Sequence, residues 1–163
     1  GESLREHLSG GFPMHATRSS RQDKAQRRGA AVVEMALVLP VFLAIVFGIV
    51  EFGRAMMVGQ LITNASRHGA RLAVIDGATN VDVIDSVKTY VSNTVGIDVS
   101  LVDVTINITP APGNPDPANN LALAVAKDVC EVVIQVDYSD VGYITGDFLE
   151  GTMLTGRCSM RHE

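Results

Sequence analysis

From Ala30 to Val50 the chain carries 21 residues with a single charge, Glu34, and is bounded by Arg28 and Glu51. At about 1.5 Å per residue a helix of this length spans roughly 31 Å, about the thickness of the hydrocarbon core of a bilayer. A helix buried in a water-soluble core usually keeps a polar stripe, and Met35 to Val50 has none. A secretory signal peptide is the stronger competitor. Against it, the apolar run is long, and Glu51-Phe52-Gly53-Arg54 closes it where a small-x-small cleavage pattern would stand. The expectation is one transmembrane helix over residues 30–50.

Charge divides the chain at the same place. Residues 1–28 hold six Lys/Arg against three acids, a formal +3, so the total of −5 leaves −8 for residues 29–163. A basic tail by itself also suits nucleic acid, but this one stops where the apolar run begins. Excess Lys/Arg beside a span holds that flank in the cytoplasm. The expected topology is therefore a cytoplasmic leader (1–29), the span (30–50), a helical extension (51–78) and an extracytoplasmic domain (79–163). The lipid bilayer is the first expected partner, and the acidic exterior argues against nucleic acid. Gly1 is the first residue, and Met14 offers an alternative start that leaves a short basic leader, Met14 to Gly29.

Glu34 is the anomaly within the span. An ionised carboxylate costs about 2.5–3.5 kcal/mol at a helix centre on insertion scales and less near an end. It can snorkel to the surface, or it can find an ammonium partner. A cut after Gly29 would free an α-amine on Ala30, and Glu34 of one subunit could pair with that amine on its neighbour. The run Arg27-Arg28-Gly29-Ala30-Ala31-Val32-Val33-Glu34 resembles the processing site of type IV prepilins, where a dedicated peptidase cuts after Gly and the fifth mature residue is Glu.

Further features narrow the resemblance. Glu34, the in-span Pro40, the exit Glu51-Phe52-Gly53-Arg54 and Gly69-Ala70-Arg71 are similar to the TadE-like pseudopilins of the tight-adherence (Tad/Flp) pilus system, over roughly residues 29–74. The end of the chain, Leu154-Thr155-Gly156 onward, is similar to that family's closing strand. TadG-like relatives share the N-terminal segment but are typically much longer, so size favours the TadE-like side. The resemblance implies a bacterial inner-membrane protein that is a substrate of prepilin peptidase and a partner of other pilins and Tad assembly proteins. It also makes Gly29 and Ala30 the processing site and Glu34 the assembly carboxylate. Within the span, Pro40 removes one helix hydrogen bond and should kink the helix. Ala44 and Gly48, four apart, make a small-xxx-small face suited to helix packing.

Beyond the span, Glu51 to Val74 contains no Pro, and Met57, Leu61, Ala65 and Leu72 recur at near-helical spacing. After Asp76-Gly77-Ala78, Thr79 or Asn80 can cap a second helix with the stripe Val83, Ile84, Val87, Val91, Val95, and Gly96 supplies a stop. Asp82, Asp85 and Lys88 form its solvated face. The period then falls to two. Val102 to Ile108, Val132 to Tyr138 and Thr152 to Arg161 read as strands, and Val133 on the outer face of the second marks it as central. Residues 109–120, with four Pro, read as a loop too poor in oxygen ligands for calcium. Leu121 to Ala126 is ambiguous between helix and strand. Tyr143 and Phe148, in the long connector 139–151, are placed to help cover the sheet. The fold class is α+β: a long helix, a short helix and an antiparallel sheet of three or four strands.

Strand parity puts Cys130 and Cys158 on the apolar face, so an antiparallel pairing could join them in a disulfide worth roughly 3 kcal/mol; two separate buried thiols are the alternative, since the register is not readable. No C-x-x-C, H-E-x-x-H, G-x-S-x-G or P-loop occurs, and there is no Trp. The reading is therefore a non-enzyme with no metal, no cofactor and no small-molecule substrate. Its rival is an uncleaved single-pass anchor whose exterior domain binds a partner or ligand at the cell surface.

Overall fold

The computed structural model describes residues 19–142, 149 and 151–163. Tyr143, Phe148 and residues 1–18 of the leader lie outside the described residues. The chain divides into two compact units, Gly1–Ala44 and Ile45–Glu163. Helix α1 runs from Ser19 to Ala73, so it begins within the basic leader. Its stretch from Arg27 is long and apolar enough to cross a membrane. From Arg27 to Val50 every side chain is exposed apart from half-buried Val46 and Gly48.

In the second unit one face of α1 becomes core. Besides Glu51, the buried positions are Val58, Ile62, Ala65, Ser66, Gly69, Ala70 and Ala73, recurring every three or four residues along one face. The expected stripe through Met57 and Leu72 is thus displaced: Met57 is 47% exposed and Leu72 only half-buried. Small residues set the difference, because they let the helix backbone approach its neighbours closely. A Cβ added at Gly69 would lie 2.6 Å from Val87 Cγ2 and 3.1 Å from Val132 Cγ1, so the segments that carry Val87 and Val132 both converge there.

Helix α2 spans Asn80–Val91, and Thr79 is its cap: the hydroxyl accepts from the Asp82 amide at 3.2 Å and donates to the Asp82 carboxylate at 2.7 Å. Asn80 instead ties the helix to the long loop, donating to the Asn119 carbonyl and accepting from the Leu121 amide. Val83, Val87, Val91 and Val95 are buried. The helix ends in a single wide turn, Ser92–Gly96, with Gly96 at φ +85.

Three strands, β1 (Asp103–Thr109), β2 (Val129–Asp137) and β3 (Met153–Arg161), form an antiparallel sheet in the order β1-β2-β3. β2 is central, as Val133 suggested; on the outer face that residue stands between Thr105 and Arg157. The inner face of β2 is buried throughout, from Cys130 through Val132 and Ile134 to Val136.

Residues 110–128 contain no strand, and the ambiguous Leu121 to Ala126 resolves to a single 3₁₀ turn at Leu121–Leu123. The loop is organised by Asp128, fully buried just before β2. Its carboxylate accepts from the amides of Ala111 and Val125 and from the side-chain amide of Asn114, at 2.7–2.9 Å. These hydrogen bonds hold its pKa below the usual carboxylate range. The carboxylate thus serves the backbone. Among the described residues no group of three His, Cys, Asp or Glu is placed to hold a metal.

Candidate functional site

The residues singled out at the membrane entrance all lie on α1. Gly29, Ala30 and Glu34 are exposed, and a Cβ added at Gly29 meets nothing within 4 Å. Among the described residues the Glu34 side chain makes no hydrogen bond or ion pair. Pro40 lies inside the helix, which continues on both sides of it. Having no amide hydrogen, it cannot donate to the Ala36 carbonyl one turn back. Ala44 is exposed, Gly48 is half-buried, and space around Gly48 is open. This segment therefore carries apolar surface and one carboxylate that the folded chain does not itself cover.

The helix exit is built differently. Glu51 is 1% exposed although it directly follows the apolar run. The Tyr138 hydroxyl, from the turn after β2, donates to the Glu51 carboxylate and lies 3.0 Å from the Glu51 carbonyl oxygen. Arg54, one turn further on, donates through Nε to the Val141 carbonyl at 3.1 Å and through Nη2 to the Val95 carbonyl at 3.2 Å. The two charged residues that mark the exit in sequence are thus turned into the domain, where they fasten α1 to the end of β2 and to the turn after α2. Burial, followed by the hydrogen bond to Glu51, pushes the Tyr138 phenol up to about 12. In the sequence Glu51 and Arg54 mark the close of the apolar run and carry part of a resemblance, with nothing to show that they turn inward, and Tyr138 reads only as a strand residue. The available signal was a carboxylate and a guanidinium three apart beside an apolar run, with a tyrosine closing an alternating strand.

Sheet register settles the geometry of the cysteines. Cys130 stands opposite Met160, and Cys158 opposite Val132, so the two are diagonal neighbours on one face. Such diagonals are typically about 7–8 Å apart at Cα, beyond the ordinary reach of a disulfide. Both are free thiols in this structure, Cys130 buried and Cys158 half-buried. Burial, with the nearby Asp128 charge, raises the Cys130 pKa. In the unreduced native protein a maleimide is expected to label Cys158 first and Cys130 only on unfolding. Intact mass after labelling, native and then denatured, checks this; absence of both labels in the denatured protein would mean that the thiols are joined.

Comparison with known proteins bears on the same helix. Residues 29–71 match the family model described as TadE-like protein, in agreement with the resemblance read from the sequence. No curated protein and no solved structure matches the chain.

Proposed function

Taking residues 29–71 as a TadE-like segment, we propose that this chain is a structural component of a Tad-type pilus machine, a pseudopilin cut by prepilin peptidase between Gly29 and Ala30. The observation that carries the reading is the family match beginning at Gly29 itself, on a helix whose apolar surface the folded chain leaves exposed from Ala30 to Val50. In this reading the span is a single pass with the leader in the cytoplasm, as its Lys/Arg excess directs. The domain outside carries contacts to other pilins and assembly proteins. Glu34, exposed and four residues beyond Ala30, is the group that would meet a neighbour's new α-amine. Gly29 is helical here, so a peptidase would have to unwind it. Glycine lowers that cost by roughly 0.5–1 kcal/mol relative to alanine.

The test is N-terminal sequencing and intact mass of the protein from native membranes, with Gly29→Val as control. The expected mature chain begins at Ala30, and Gly29→Val leaves the leader attached. Glu34→Ala is expected to be cut normally and yet fail to assemble, read as loss of pilus-associated protein from the cell-surface fraction. An intact leader together with a tolerated Glu34→Ala would replace this reading with an uncleaved anchor that presents its domain to a partner.

A further inference from the structure

Glu51 and Arg54 end the apolar run in the sequence, but both are turned towards the domain interior, so neither marks where water begins on the outer side of α1. There the apolar surface continues. Ile45, Ile49, Phe52 and Met56 follow at spacings of three or four and are 58%, 68%, 63% and 54% exposed, and Met57 beside them is also exposed. Phe52 and Met56 line a groove of about 390 Å³ together with Ala55, Gly59, Leu149 and Leu154, and Gln60, Thr63, Thr152 and Thr155 form its polar part. Above this level the face turns polar, with exposed Gln60 and Asn64, and then cationic at Arg67.

This order of side chains matches the layers of a bilayer surface. From Val50 to Met57 α1 rises roughly 10 Å, and helix side chains lean back towards the N-terminus, which brings these side chains down towards a headgroup layer about 5–8 Å deep on one side of a bilayer about 40–45 Å thick around a core of about 30 Å. We propose that the bilayer interface rises past Glu51 on this side of the domain, with Phe52, Met56, Met57 and the mouth of the groove at the boundary between phospholipid headgroups and acyl chains. The inference rests on the membrane-spanning reading of α1. It makes the domain a surface-bound body rather than one held clear of the membrane on a stalk.

The chain has no Trp, so one introduced tryptophan reports by itself. Ile45→Trp, Met57→Trp and Tyr90→Trp, each in the full chain, are placed in phosphatidylcholine/phosphatidylglycerol vesicles with brominated acyl chains, at fewer than one chain per vesicle. The expected result is blue-shifted, bromine-quenched emission from Ile45→Trp and Met57→Trp and unquenched emission from Tyr90→Trp. A quenched Ile45→Trp beside a water-like Met57→Trp overturns the inference and leaves the span intact; loss of quenching at both overturns the span as well. Shielding of Met57→Trp only when several chains share a vesicle overturns it in favour of a second copy in the groove.

Discussion

Gly156→Ala is expected to destabilise the domain by about 2–3 kcal/mol, the upper part of the overpacking range, and Gly156→Val by more. Gly156 sits on β3 opposite Ile134, where α1 crosses the sheet. A Cβ there would lie 2.7 Å from the Ile62 carbonyl carbon, 2.7 Å from Ile62 Cγ2 and 2.8 Å from the Ile62 carbonyl oxygen. Two of these three atoms are backbone of a helix, so no rotamer change relieves the contact and α1 must move off the sheet. Thermal unfolding of the full chain in detergent checks this, with a fall of about 4–8 °C per kcal/mol for a domain near 100 residues. Ile62→Ala removes only the Cγ2 contact and is not expected to rescue Gly156→Ala; rescue would show that side-chain crowding alone carried the cost. Gly59→Ala supplies the opposite sign. It lies on the same helix with nothing within 4 Å of an added Cβ, and is expected to stabilise by roughly 0.5–1 kcal/mol.

The second large effect is expected at the helix exit. Tyr138→Phe withdraws the phenol from the buried Glu51 carboxylate while keeping the ring, at a cost of about 1–3 kcal/mol for a buried polar group deprived of a donor. The same contact has a signature in alkali. The fold favours the neutral phenol, so its contribution is complete below the ordinary value of 10 and is lost as the pH rises through about 12. Spectrophotometric titration should show one of the three tyrosines ionising late and together with unfolding, and Tyr138→Phe should abolish that late component. A late component that survives in Tyr138→Phe would assign it to another tyrosine and remove the argument that this hydroxyl fastens α1 to the domain.

Much of the architecture was legible because it depends on period and composition. The apolar run from Ala30, the stripe Val83-Val87-Val91, the alternation in all three strands and the central place of β2 each follow from which side chains avoid water. The loop that begins at Pro110, directly after β1, follows equally directly, because proline and glycine there leave no ladder to form.

The remainder depended on which surfaces meet. Along α1 the apolar residues run almost all round, so hydrophobicity could not choose between Met57 and Val58 as core; that choice belongs to the small residues Gly69 and Gly156, which set how near helix, helix and strand can come. The register of β2 with β3 placed Cys130 opposite Met160 rather than Cys158, because pairing is set by the whole inner face and not by two thiols. Tyr138 reaches Glu51 across 87 residues of chain, a separation over which no local pattern carries information. The sequence by itself determined that this chain presents one long apolar helix and a small α+β domain. Only the tertiary structure decided that the charges at the helix exit are turned inward, because a buried carboxylate and a half-buried guanidinium are tolerable only where the fold supplies a phenol and backbone carbonyls to receive them.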